Sequence, residues 1–295
     1  MFVAVALFIF IWSTGFIVGK LVVPYADPSL FLFVRVCIAA VLFALVAWLT
    51  RAPRLPWREV PKHMLAGTLL QGLYLLGCYW AMAAGLPPAI MALIGATQPI
   101  LTAALAIPLL GERPTVRVWL GLVLGLSGVL LVLAPGLDGR LGQTYTSWSL
   151  WAAAIAVLSV TFGTLMQKTS MAQTDIRTSA LWQNVGTLLL TGGFTLILGE
   201  SKWIWSTDLW IGLIWAAVML TGVGASLLVW IIRRGGATKA SSLMYLSPPL
   251  VAVEAYLLFG DTLVAIQLLG FAVAVSGVMI CNLRQWPSWL VRGKR

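Results

Sequence analysis

The sequence predicts an all-α polytopic membrane protein. It reads as ten transmembrane helices in two inverted five-helix repeats, with both termini cytoplasmic. Three observations predict this. Of the 295 residues, 60% are hydrophobic and only 9% charged, with a mean hydropathy of +0.97; a soluble domain carries about 25% charged residues. The stretch QPILTAALAIPLLGERPTVRVWLGLVLGLSGVLLV from Gln98 to Val132 is echoed by PPLVAVEAYLLFGDTLVAIQLLGFAVAVSGVMI from Pro248 to Ile280. The cations, finally, gather at alternate ends of the apolar segments.

About 20 apolar residues cross a bilayer. Such segments fall near 2–22, 29–49, 64–84, 88–110 and 118–134, then near 149–167, 178–198, 209–232, 240–259 and 263–282. The first begins with no basic residue before it, so it reads as a retained helix and not as a cleaved signal. Gly85-Leu86-Pro87-Pro88 leaves little room between helices three and four, which must form a tight antiparallel pair. Pro28 and Pro88 sit where a helix start tolerates a missing N–H.

A cytoplasmic N-terminus puts fifteen of the 19 Lys and Arg residues on inner segments, against Lys20, Arg140 and Lys202 outside and Arg35 within a helix. Moving the parity by one helix would destroy this bias. A displacement of 149 residues carries Pro99 onto Pro248, Gly111 onto Gly260, Glu112 onto Asp261, Gly121 onto Gly270 and Ser127-Gly128 onto Ser276-Gly277. Repetition at a long fixed period marks related units. The units are residues 1–135 and 148–283, followed by a cytoplasmic basic tail, 284–295. Five helices is an odd number, so the second unit enters the membrane upside down. The Glu112 turn then faces the cytoplasm and the Asp261 turn faces out. Inverted repeats are a sequence mark of secondary transporters, whose two halves can exchange conformations.

The pattern W-S-T-G-F-x-x-G-K from Trp12 to Lys20, Arg35 in helix two, and both P-x(11)-G-[ED] repeats resemble the drug/metabolite transporter superfamily. The resemblance is to its EamA-like ten-helix branch and covers essentially the whole chain. The tryptophan and tyrosine content is similar to that of the bacterial aromatic amino acid exporter (YddG-like) group. This resemblance implies a central cavity lined by helices one, three, four, six, eight and nine, with helices five and ten as a scaffold.

Small residues let helices approach closely in lipid. Gly121, Gly125 and Gly128 form such a face in helix five, and Gly270, Ala274 and Gly277 form one in helix ten. Pro99, Pro248 and Pro249 interrupt helices four and nine, as hinges, as carbonyl lenders or as static kinks. Gln71, Tyr74 and Cys78 follow spacings of three and four on one helical face. With Trp12, Tyr79, Gln98, Trp230 and Tyr245 they are the expected cavity wall, polar groups to orient a solute and aromatic faces to stack on it. Interhelical bonding or plain packing is the competing reading for each, as it is for Trp182. The remaining tryptophans suit interfacial belts.

Arg35 and Glu254 are charges within helices, each at a cost of about 2.5–3.5 kcal/mol at a helix centre. They are candidate coupling residues, as a pair or singly, with snorkelling to the outer interface as the alternative. One histidine, His63, and three cysteines within apolar runs leave no metal cluster, disulfide pattern or nucleophile–base pair. No nucleotide-binding or zincin motif occurs. The expectation is therefore no enzyme, no metal, no cofactor and no nucleic-acid partner.

What it favours is a secondary or facilitative transporter, multi-pass in a bacterial inner membrane and acting as a monomer. Its partners are the bilayer and a small-molecule substrate. The substrate is exported by alternating access, with amino acids, aromatic ones first, as the leading class. The alternative is proton-coupled export of cationic drugs or polyamines. A lipid-modifying enzyme or a purely structural membrane protein fits less well.

Overall fold

In hydrocarbon every backbone N–H and C=O must be satisfied within its own segment, so uninterrupted apolar runs become helices. The computed structural model describes residues 2–22, 24–86, 88–137, 147–169, 171, 173–235, 237–259 and 264–282. Apart from one isolated bridge, Ala26–Trp203, the described residues contain no β-pairing. The first helices are α1 (Phe2–Val22), α2 (Pro28–Leu49), α3 (Val60–Gly67) and α4 (Tyr74–Ala83). They continue with α5 (Pro88–Gly95), α6 (Gln98–Leu110) and α7 (Val116–Leu137). The second half holds α8 (Ser147–Lys168), α9 (Ile176–Leu198), α10 (Thr207–Trp215) and α11 (Ala225–Gly235). It ends with α12 (Ala237–Ser242), α13 (Ser247–Phe259) and α14 (Ala265–Asn282).

Among the described residues eight helical stretches are long and apolar enough to cross a membrane. They are Pro28–Leu49, Val60–Ala81, Ile90–Leu110, Val116–Pro135, Ser147–Lys168, Ile176–Leu198, Thr207–Arg234 and Ala265–Asn282. A shorter apolar helix, Val3–Gly19, precedes them. The chain is a multi-pass membrane protein.

Four irregularities depart from the uniform helices the sequence suggests. The turn Thr68–Leu73 between α3 and α4 is π-helical, and so is Ala216–Gly224 between α10 and α11. The α5–α6 rod breaks at Ala96–Thr97, and a 3₁₀ turn, Leu243–Leu246, separates α12 from α13. These breaks correct the reading of the prolines as helix-interior residues. Pro99, Pro248 and Pro249 all lie in the first turn after a break, where the missing N–H had no intrahelical partner to lose.

Close backbone approach holds the bundle together. The most extensive contact among the described helices joins α7 to α14. A Cβ on Gly121 would lie 2.7 Å from both Gly277 O and Cys281 Sγ, and one on Gly270 would lie 2.7 Å from Val132 N. A Cβ on Gly128 or Gly277 would strike the opposing backbone directly. A second seam crosses α3 and α9, where Gly67 meets the backbone of Gln183 and Gly186 that of Met64. No hydrophobic force draws helices together in lipid, so packing at van der Waals distance has to do it.

Polar loops stitch the two ends of the bundle. At one end the Glu200 carboxylate accepts from Ser29 Oγ (3.0 Å) and Leu30 N (2.9 Å), which caps α2. Asp27 accepts from the Ser201 and Lys202 amides (3.1 and 2.9 Å). At the opposite end Gly111, at φ +64°, closes α6 in the left-handed conformation that favours glycine. This aims Glu112 at the start of α12, where Thr238 Oγ1 donates to it (3.1 Å). The matching Gly260-Asp261 turn and the basic tail 284–295 lie outside the described residues.

Candidate functional site

The expected cavity wall divides in two. On the first side, Tyr74 and Cys78 pack with α8 around Ala153, Ala156 and Val157. Tyr74 also touches the cluster of Leu70, Val160 and Val229. Gln71 does not share their surroundings. It sits within the π turn, 8% exposed, and lines a narrow cavity with Phe43, Gln183, Asn184, Thr221 and Ser226. The π turn inserts an extra residue, so a face read at α-helical spacing is split. The cavity's free volume is about 10 Å³, the scale of a single water.

On the second side, Trp12, Trp230 and Tyr245 all belong to the apolar cluster around Leu122, Val129 and Val278. Trp12 tilts against Phe8 with ring centroids 5.4 Å apart. Trp230 carries the Arg234 guanidinium over its ring at 4.5 Å, a cation–π contact near the end of α11. Tyr245 is 0% exposed, its ring is seated on Gly125, and its hydroxyl is buried without a hydrogen-bond partner among the described residues. Trp182 pairs edge-on with Trp57 at 5.9 Å, away from both groups. Gln98 opens α6 directly after the break, buried to 7% exposure, with its carbonyl accepting from Thr102 Oγ1 at 2.9 Å.

Two buried charges stand between the helices, and they do not pair with each other. Arg35 is 8% exposed and its Nε donates to Thr221 Oγ1 at 2.8 Å. Glu254 is 7% exposed; its Oε1 accepts from Ser13 Oγ at 2.5 Å, and its Oε2 is buried without a hydrogen-bond partner among the described residues. The ion pairs among the described residues are Glu59–Lys62 and Asp175–Arg177, at 3.0 and 2.7 Å. Arg35 thus ties α2 to the second π turn, and Glu254 ties α13 to α1. Both charges point inward, so neither snorkels.

Sequence reading missed a buried polar hub at the Glu112 end. Ser179 Oγ lies 2.9 Å from His63 Nδ1 and accepts from Gln183 Nε2 (2.8 Å) and Arg233 Nη2 (3.3 Å). Gln183 in turn accepts from Gln167 (2.8 Å), and Arg233 also donates to the Thr174 carbonyl. A hydroxyl has one proton and two lone pairs. With both lone pairs taken, Ser179 must donate to His63 Nδ1, so the ring proton resides on Nε2, 3.4 Å from Thr174 Oγ1. Beside the hub, hydrogen bonds from Arg177 hold the Asp175 carboxyl below the usual carboxylate range.

The comparisons with known proteins bear on the whole chain. The model of the EamA-like transporter family matches residues 1–134 and 146–283. The uncharacterized transporter YvbV of Bacillus subtilis is 25% identical, over 95% of this chain and 90% of its own length. A probable terminal-alkyne amino-acid exporter of Streptantibioticus cattleyicolor is 24% identical over 85% and 82%. The uncharacterized inner membrane transporter YedA of Escherichia coli is 24% identical over 94% and 88%. A solved crystal structure shares the fold at a TM-score of 0.79, covering 95% of this chain and 96% of its own, with 17% identity. The chain belongs to the EamA-like transporter family.

Proposed function

We propose that this EamA-like transporter exports small metabolites, amino acids foremost and aromatic ones favoured, from a bacterial cytoplasm across the inner membrane. It works by alternating access between two inverted five-helix halves, residues 1–135 and 148–283, with both termini and the 284–295 tail cytoplasmic. The observation that carries this reading is the matched placement of the helix breaks. Thr68 and Ala216, which begin the two π turns, are 148 residues apart, and so are Thr97 and Tyr245 at the other two breaks. Broken helices at equivalent places in two repeats are where transporters bind solute and bend. The two stretches matched by the family model, 1–134 and 146–283, support the same division.

The substrate class draws support from the amino-acid exporter among the relatives, and from the half-buried Tyr74 and Tyr79 and the buried Gln71 and Gln98 as polar and aromatic side chains within apolar helices. The test is a proteoliposome panel of labelled aromatic and aliphatic amino acids, a polyamine and an organic cation, with and without a pH gradient. Flux of an aromatic amino acid well above empty liposomes is expected. If no amino acid moves, the substrate assignment fails and the fold is untouched.

One observation favours the second reading, proton-coupled export of a cation. The Glu254 carboxyl is buried with no cation against it among the described residues. The two readings part at Glu254→Gln, which keeps an acceptor for Ser13. Under amino acid export the variant retains flux within about twofold, since a substitution that preserves the hydrogen bond removes little. Under cation export it loses flux and pH dependence together.

A further inference from the structure

Arg35 carries a charge that nothing among the described residues neutralises. It lies on the buried face of α2, 8% exposed. Its Nε bond to Thr221 fixes the guanidinium plane against the second π turn. Its two Nη groups make no hydrogen bond among the described residues, and both ion pairs there involve other side chains.

The guanidinium thus has one partner, Thr221, and its Nη donors have no acceptor among the described residues. A buried, uncompensated charge costs several kcal/mol, and evolution's usual remedy, an acid on a neighbouring helix, is missing here among the described residues. With Nε occupied, the free edge of the guanidinium is its Nη1/Nη2 fork. That planar fork takes a carboxylate through two parallel hydrogen bonds, which neither an amide nor an ester can imitate. Thr221 also lines the water-sized cavity, whose Asn184 Oδ1 is a buried acceptor with no partner. Thr221 therefore stands both against the guanidinium and in the wall of a cavity that Asn184 also lines.

We propose that Arg35 is the docking point for the carboxylate of the transported solute. This rests on the amino-acid reading and deepens it, and it also accounts for a buried arginine without a counter-ion among the described residues.

The experiment uses four probes on the purified full-length protein: phenylalanine, phenylalanine methyl ester, benzoate and benzamide. Thermal denaturation in detergent is followed as each is titrated. Phenylalanine and benzoate should protect the wild type at concentrations at least about tenfold below their ester and amide, the scale of a lost charge-assisted hydrogen bond. Arg35→Lys should narrow that gap and Arg35→Gln should close it. The acid-against-ester comparison in the wild type decides the matter even if Arg35→Gln does not fold. Equal protection by acid and ester, a gap that survives in Arg35→Gln, or no protection by any probe overturns the proposal. Benzoate protection that depends on Arg35, in a protein that moves no amino acid, would sustain the anion site and refute amino acid export.

Discussion

Gly128→Ala is expected to strip most of the folded protein from the membrane. A Cβ there would land on the Ala274 amide and lie 2.7 Å from Gly270 O, both backbone atoms of α14 that cannot rotate aside. Overpacking in an ordinary core costs about 1–3 kcal/mol. Here the clash falls in the most extensive helix–helix contact of the described bundle. Parting α7 from α14 would also unseat Tyr245 from Gly125, which carries the damage into the 3₁₀ break. We therefore expect a loss of about 3 kcal/mol or more, at the upper end of overpacking effects. Gly193→Ala is the control, since its added Cβ meets nothing within 4 Å and alanine favours a helix by about 1 kcal/mol. Size-exclusion elution and thermal midpoints of the two variants in detergent provide the measurement. Equal midpoints would show that α7 and α14 do not pack as described.

That seam could be read from sequence because its chemistry is local: a row of glycines in an apolar helix has few uses in lipid. Helix positions were readable for the same reason, since length and apolar content decide them. The π turns were not. TLLQGL and AAVMLTGVG look like any apolar helix, and no residue type announces an inserted residue. One trace existed: Gln71-Gly72 and Thr221-Gly222 are 150 residues apart, each a polar residue and a glycine in an apolar run. The packing of the Tyr245 ring on Gly125 was hidden for a different reason: the two residues lie in distant parts of the sequence, and neither one's local pattern points to the other. Arg35 and Glu254 were visible as unusual charges, but their partners Thr221 and Ser13 are 186 and 241 residues away. Which helices stand side by side decides such pairings, and periodicity within one helix carries none of that information.

The Ser179 hub was hidden in the same way, and it yields the second large prediction. Ser179→Ala removes one hydroxyl but leaves three partners wanting, two buried and one half-buried: His63 Nδ1 loses its donor, and Gln183 Nε2 and Arg233 Nη2 lose their acceptor. Each polar group stranded in a buried site costs about 1–3 kcal/mol. Arg233 keeps its bond to the Thr174 carbonyl, but its Nε already lacks a partner, so it has little slack. A net loss of about 3 kcal/mol is expected from the three groups together. Ser127→Ala should be nearly silent, because that exposed hydroxyl only bonds Val123 O of its own helix at 3.0 Å. The hub also predicts non-additivity. His63→Leu removes one of the stranded partners in advance, so His63→Leu/Ser179→Ala should cost less than the two single changes combined. Thermal midpoints of the four proteins close the cycle. A Ser179→Ala protein as stable as Ser127→Ala would mean that the hub bonds are not formed in the membrane. Strict additivity would mean that His63 and Ser179 do not touch. The expected coupling would instead identify this end of the bundle, where His63 of α3 meets Ser179 of α9 and, through it, Arg233 of α11, as a place where distant helices are held by directional bonds. Such bonds depend on exact donor and acceptor placement, whereas the glycine seam of α7 and α14 depends only on close backbone approach.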